Sequence, residues 1–177
     1  MPRVYVAAGS NVDPERNLAK AGAALAREFP DIELSPWYRN KAVGFEGDDF
    51  INFVFGFSTE LPVHEVVAKL RAVETLCGRP PGAPKWAPRS MDLDILLYGD
   101  MVLEEPGLKL PRPDLLKRPF MLGPLADIAP DLRHPTENPH IRELWQRFDR
   151  ASHGMTPVQP SFTSPHSGRH PPPGSGR

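Results

Sequence analysis

Met91-Asp92-Leu93-Asp94-Ile95-Leu96-Leu97-Tyr98 is an apolar run of strand length with two carboxylates set into it, and Gly99-Asp100 closes it as a turn. A strand turns alternate side chains to opposite faces, so Asp92 and Asp94 share one face and Leu93, Ile95 and Leu97 take the other. Charges alternating with apolar residues suit an antiparallel sheet that packs one face and leaves the other to water or to a ligand. Two carboxylates at this spacing stand roughly 6 to 7 Å apart at the backbone, close enough to share a pair of hard cations. Immediately upstream, Trp86 and Arg89 in Lys85-Trp86-Ala87-Pro88-Arg89 supply an aromatic plate and a fixed positive charge.

The rest of the chain reads as a frame for this strand. Val4 to Ala8 is a buried strand ending at Gly9-Ser10-Asn11, and Asp13-Pro14 opens a helix with Asp as N-cap and Pro at the first helical position. Leu18, Ala21, Leu25 and Phe29 give that helix one apolar stripe. Ile32 to Arg39 is a second strand with an irregularity at Pro36. After a long loop over 40–49, which has the length of a mobile active-site segment, Phe50 to Ser58 is a third strand with Ile51, Phe53, Phe55 and Phe57 on one face. A second helix follows Leu61-Pro62, buries Val66, Val67, Leu70, Val73 and Leu76, and is closed by Gly78, with Cys77 packed at its end. A proline-rich loop from Arg79 to Pro88 leads into the opening strand, and Met101-Val102-Leu103 returns beside it.

The resulting order, β-α-β-β-α-β, predicts an α+β fold of ferredoxin-like type: a four-stranded antiparallel sheet with two helices on one face, followed by short C-terminal helices broken at Pro119, Pro124 and Pro130 and a last helix over 141–148. Pro, Gly and Ser supply 15 of the 27 residues from Ala151 to Arg177, too few apolar groups to order a core. The organisation expected is one domain over 1–150 and a disordered tail over 151–177.

Composition narrows the functional classes. A net charge of −1 and a pI of about 6.6 argue against nucleic-acid binding through phosphate neutralisation. A single cysteine excludes an internal disulfide and a multi-cysteine zinc site. Neither a membrane-spanning run nor a signal-peptide pattern is present, so the expected location is the cytoplasm.

An Asp-x-Asp strand with oxygen ligands points to magnesium, and magnesium beside arginines is the equipment of phosphoryl or nucleotidyl transfer. The chain has no Gly-x-x-x-x-Gly-Lys-Ser/Thr loop, so a nucleotide is held by metal, by loops and by cations, for which Arg79, Lys85, Arg89, Arg112 and Arg118 are the candidates. Two other readings use the same elements. A two-metal cyclase or polymerase-like palm needs a third acidic ligand. An RNA-stacking platform would employ Phe53, Phe55 and Phe57, which are more simply a helix-facing core.

The stretch Lys85 to Leu97 resembles the pattern Arg/Lys-Trp-Gly-Pro-Arg-x-x-Asp-Leu-Asp-Ile-Leu-Leu of the 6-hydroxymethyl-7,8-dihydropterin pyrophosphokinases of folate biosynthesis. The resemblance extends to Gly9-Ser10-Asn11, Phe50-Ile51-Asn52, Glu74, Gly78-Arg79 and Arg118-Pro119-Phe120-Met121-Leu122, covering roughly residues 3 to 135. It implies a ferredoxin-like enzyme, an ATP-dependent pyrophosphokinase that moves the pyrophosphoryl group of ATP to the pterin hydroxyl and releases AMP. It implies that Asp92 and Asp94 hold two magnesium ions, with Asp94, Arg79 and Arg89 at the reaction. Glu74, Trp86, Arg89, Ile95, Arg112 and Arg118 would bind ATP. Val43, Phe50, Asn52, Trp86 and Phe120 would bind the pterin. The partners implied are these small molecules, without nucleic acid or membrane, and the state implied is a monomer. Ala87, Arg112 and the pair Pro80-Pro81 stand where the family usually has Gly, His and a second loop Arg.

Overall fold

The computed structural model describes residues 1–40, 49–78, 91–148 and 155–158. Val43, Arg79, Trp86 and Arg89, with the loops that carry them, lie outside the described residues.

Strand β1 (Arg3–Ser10) is buried along nearly its whole length because it runs through the middle of the sheet, with antiparallel neighbours on both sides. Helix α1 (Pro14–Glu28) buries Leu18, Ala21, Ala24 and Leu25, the expected stripe. Just past its end, Phe29 stacks on Phe57 with ring centroids 3.7 Å apart. Asp13 is the N-cap by position only: it is left-handed at φ 42° and its side chain makes no capping hydrogen bond. The turn is instead closed by Asn17, whose Nδ2 donates to the Val12 carbonyl at 2.6 Å.

The single strand expected over 32–39 is two pieces, β2 (Glu33–Leu34) and β3 (Trp37–Asn40), both paired with β4 (Phe50–Ser58). Pro36 breaks the ladder because it has no N–H. The Ser35 hydroxyl fills the gap by accepting the Val54 N–H at 2.9 Å. On β4, Ile51, Phe53, Phe55 and Phe57 are all buried in the core beneath the helices, which removes any stacking platform for RNA.

Helix α2 (Val63–Leu76) buries Val66, Leu70 and Val73 as expected, but Leu76 is 48% exposed and Glu74 only 4%. The apolar stripe therefore ends one turn early, and a carboxylate takes its place. Beyond the helix, Cys77 is buried at the C-cap and Gly78 adopts φ 92°.

Strand β5 (Asp92–Tyr98) pairs with β1, and the sheet order is β5-β1-β4-β3-β8, with β2 lying along β4. Leu93 and Ile95 face the helices, as alternation predicts, but Leu97 does not. The register shifts between Tyr5 and Val6, leaving Leu96 as an extra residue, and this bulge turns Leu96 and Leu97 both toward the opposite face.

Met101-Val102-Leu103 does not return beside β5. Strands β6 (Leu103–Glu105) and β7 (Leu108–Leu110) form a separate hairpin, turning through Gly107 at φ 80°. A 3-10 turn at Pro113–Leu116 leads into α3 (Pro119–Ile128), in which Pro124 sits inside the helix instead of breaking it. Helix α4 (Ile141–Arg147) follows. These elements do not simply trail the sheet. Leu115, Met121, Leu122, Leu125 and Ile141 pack against Tyr5, Ala7, Val54, Leu96 and Leu97 to form a second core on the face away from α1 and α2.

Within the stretch expected to be a disordered tail, Thr156–Val158 is strand β8, paired with β3 through Trp37, Tyr38 and Arg39. A proline is tolerated there because an outermost strand needs only one side of its ladder.

Candidate active site

The second core covers only part of the far face, and the remainder carries the polar residues. In the register of the sheet Gly9 lies opposite Asp92 on one side and opposite Asn52 on the other. Directly paired residues stand on the same face, so Asp92, Gly9 and Asn52 form one row across three strands. Adjacent strands are about 4.7–4.9 Å apart, which sets the Asp92 and Asn52 backbones about 9–10 Å apart. Asp94 opens the next row, opposite Ala7. Between the carboxylates and the carboxamide the floor is thus made of a glycine and an alanine.

Gly9 is required by this packing. A Cβ at Gly9 would lie 2.5 Å from Asn52 Oδ1 and 3.7 Å from Phe50 Cδ1, so the carboxamide and one edge of the Phe50 ring both lie over the bare backbone of β1. Asn52 is buried, and its Nδ2 donates to Oδ1 of buried Asn40 at the end of β3. That bond fixes which end of the Asn52 amide turns toward Gly9.

Asp94 is held between two arginines. Arg112 Nη2 is 3.6 Å from Oδ2 and Arg71 Nη2 is 3.9 Å from Oδ1, with the carboxylate side chain 16% exposed. Burial and the neighbouring Asp92 charge still raise its pKa to about 6, against the opposing pull of Arg112 and Arg71. Arg112 is anchored through its backbone, whose N–H donates to the Leu96 carbonyl at 2.9 Å.

Arg71 was not legible as a site residue from the pattern of α2, where it reads as a solvated helical position. In the structure its Nη1 donates to Glu74 Oε1 at 2.6 Å and to the Leu93 carbonyl at 2.9 Å, while Glu74 Oε2 accepts the Leu93 N–H at 2.9 Å. Both backbone groups of the residue between the two aspartates are thereby gripped by one ion pair on α2. Burial disfavours the Arg71 charge, but the bond to Glu74 and the charges of Glu74, Asp94 and Asp92 outweigh it and raise the pKa.

The structure places the remaining expected residues unevenly. Glu74, expected at ATP, has its carboxylate turned to Leu93 and Arg71. Ile95, also expected at ATP, puts its side chain in the helix-facing core and leaves only its backbone at the outer side of β5. Phe50 is half-buried beside Gly9. Arg118 and Phe120, both half-buried, open α3, which packs on β4 and β3.

Among the described residues no group of three or more His, Cys, Asp or Glu side chains is arranged to hold a metal unaided. Two carboxylates on one face do suit magnesium, which is commonly bound by one or two carboxylates and completes its shell with water and substrate phosphates. They do not supply the third acidic ligand that a polymerase-like palm requires.

Comparison with known proteins identifies relatives of the chain as a whole. Residues 5–130 match the family model described as 7,8-dihydro-6-hydroxymethylpterin-pyrophosphokinase. A 2-amino-4-hydroxy-6-hydroxymethyldihydropteridine pyrophosphokinase of Aquifex aeolicus is 39% identical over 146 residues, covering 81% of this chain and 91% of its own. A folic acid synthesis protein of Dictyostelium discoideum is 32% identical over 135 residues, 75% of this chain but 20% of that protein. Among solved structures, the HPPK-DHPS of Plasmodium falciparum with pteroate superposes with a TM-score of 0.64 at 12% identity, over 82% of this chain and 42% of that one. The chain thus spans less than half of that solved protein, and at this identity the likeness is one of fold.

Proposed function

The chain belongs to the 7,8-dihydro-6-hydroxymethylpterin-pyrophosphokinase family, an enzyme family of folate biosynthesis, and from that premise we propose how its own residues carry out the transfer. The substrate hydroxyl oxygen bonds to the β-phosphorus of ATP, the bond from that phosphorus to the α-β bridging oxygen breaks, and AMP leaves with the bridging oxygen while the hydroxyl gives up its proton. The observation that carries this reading is the row Asp92–Gly9–Asn52, which sets a metal-type carboxylate and a donor–acceptor carboxamide at the two ends of a floor with almost no side chains.

Asn52, oriented by Asn40, matches the paired donors and acceptors on the edge of a pterin ring. Phe50 and Phe120 offer apolar surface to its plane, and Trp86 and Val43 are the further residues we assign to the pterin. The flat floor over Gly9 and Ala7 lets the hydroxymethyl group reach toward Asp92 and Asp94. These two aspartates would hold two magnesium ions. When bound, the ions supply neutralisation of the phosphate oxygens and a lowered hydroxyl pKa. Arg79, Arg89, Arg112 and Arg118 balance charge on the polyphosphate. The Ile95 backbone lies beside the nucleotide, and Glu74 acts by holding the Leu93 peptide. In this reading the fold is the ferredoxin-like split β-α-β arrangement, the domain runs over 1–150 with a C-terminal extension, and the enzyme is a cytoplasmic monomer. Among the described residues no helix is long and apolar enough to cross a membrane.

The test is AMP formation from ATP with magnesium and 6-hydroxymethyl-7,8-dihydropterin. Asp92→Asn and Asp94→Asn should each lower turnover on the order of 10³-fold. Undiminished turnover in both variants would remove the metal assignment, and AMP formation indifferent to the pterin would remove the substrate assignment.

A further inference from the structure

Asp94 presents two carboxylate oxygens, and each faces a guanidinium: Oδ1 faces Arg71 at 3.9 Å, and Oδ2 faces Arg112 at 3.6 Å. The two arginines come from different parts of the chain and are anchored independently. Arg71 is tied to Glu74 and the Leu93 carbonyl, whereas Arg112 is held by its backbone N–H on the Leu96 carbonyl and faces Asp114 Oδ2 through Nε at 3.6 Å. The arrangement therefore places one positive charge beside each of the carboxylate oxygens that a divalent ion on Asp94 would bind. A magnesium ion needs a carboxylate oxygen at about 2.0–2.1 Å. At that position it would sit within a few ångströms of both guanidinium groups, in a half-buried setting where like charges are weakly screened.

We propose that Arg71 and Arg112 are place-holding cations on Asp94. They keep the carboxylate pair neutralised and spaced while the nucleotide is absent, and so weaken binding of a divalent ion by itself. A polyphosphate removes that obstacle, because it offers both guanidinium groups a new anionic partner and releases Asp94 to the metal. Metal and nucleotide are then taken up together. This rests on the reading of Asp92 and Asp94 as metal ligands. It adds Arg71 as a positioning residue, with Glu74 as the group that aims it.

The direction of the effect separates this role from a structural one. If Arg71 merely supported the site, its loss would loosen the aspartates and weaken metal binding. As a competing charge, its loss must strengthen it. The experiment measures Mn2+ binding to the whole chain by calorimetry or electron paramagnetic resonance, first without nucleotide and then with a non-hydrolysable ATP analogue. Arg71→Gln should tighten nucleotide-free Mn2+ binding about fivefold or more and reduce the gain that the analogue confers. Arg71→Lys keeps the charge and should stay within about twofold of the parent. Arg112→Gln shares no hydrogen bond with Glu74 or Leu93, so it provides the same test without disturbing the Leu93 peptide, and it too should tighten the ion. Unchanged or weakened nucleotide-free binding in both glutamine variants overturns the proposal. Asp94→Asn in the parent marks the other failure: if Mn2+ binding survives it, the metal reading itself is wrong, and the place-holder role falls with it.

Discussion

At the scale of single residues, the site depends on one missing side chain as much as on those present. Gly9→Ala would drive a methyl group into the Asn52 carboxamide and turn it from its place above β1. On the proposed role of Asn52, losing one or two hydrogen bonds to the heterocycle should raise KM for the pterin by roughly 10- to 100-fold. Nucleotide affinity should change much less, which paired steady-state and ATP-binding measurements will distinguish. His134 is a second case in which one group sets a property of the whole. It is buried, and its Nδ1 accepts the backbone N–H groups of Thr136 at 3.3 Å and Glu137 at 3.0 Å, so the folded chain holds it neutral. Burial lowers its pKa, with only a partial opposing pull from Glu137. Below about pH 6.5 the unfolded chain binds a proton that the folded one resists, so the stabilising contribution is complete above that pH and is lost as pH falls beneath it. Chemical denaturation between pH 7.5 and 5 should show this loss with a slope of at most about 1.4 kcal/mol per pH unit, and His134→Gln should flatten it.

At the scale of elements, α2 shows how an apolar stripe can be drawn too wide. At about 100° per residue Leu76 lies about 120° round the helix from Leu70, and it is half-exposed while Leu70 is fully packed. Leu70→Ala should cost about 2–5 kcal/mol in urea unfolding, and Leu76→Ala should stay within about 0.5 kcal/mol. Glu74 takes the last buried place because the neighbour there is the outer side of β5, where the Leu93 amide needs an acceptor and a leucine would leave it unpaired. That need arises from sheet order, which no helical pattern records. Strand β8 was missed for a related reason: three residues in a Pro-, Gly- and Ser-rich stretch carry no period of their own, and what orders them is the edge of β3. A chain ending at residue 154 should therefore melt lower than the full chain by roughly 2–4 °C for each kcal/mol that β8 contributes, while a chain ending at residue 160 should melt with it.

At the scale of the whole molecule, the helix-facing half was readable because strong, regular patterns wrote it: the alternation of β4, the stripe of α1, and the apolar face of Leu93 and Ile95. The far half was not. Proline-rich segments after residue 110 suggested short, broken pieces, whereas α3 accommodates Pro124 and closes a second core. The bulge that sends Leu97 to that core is a matter of register between two strands and leaves no mark in either one alone. The candidate site divides along the same line. Asp92 and Asp94 stood out as candidates from residue type and spacing, and Asn52 only through the family resemblance. Arg71 and Asn40 act through partners distant in sequence and became visible only when the sheet brought those partners together.

The grip of Glu74 and Arg71 on Leu93 has one more consequence. β5 lies at the end of the sheet, and an outermost strand offers its bare amide and carbonyl groups as a template on which another chain can add a strand. At Leu93 both of those groups are already engaged, by side chains that cannot extend a ladder. The same ion pair that grips the Leu93 peptide thus also guards the edge that carries Asp92 and Asp94 against strand addition by a second copy.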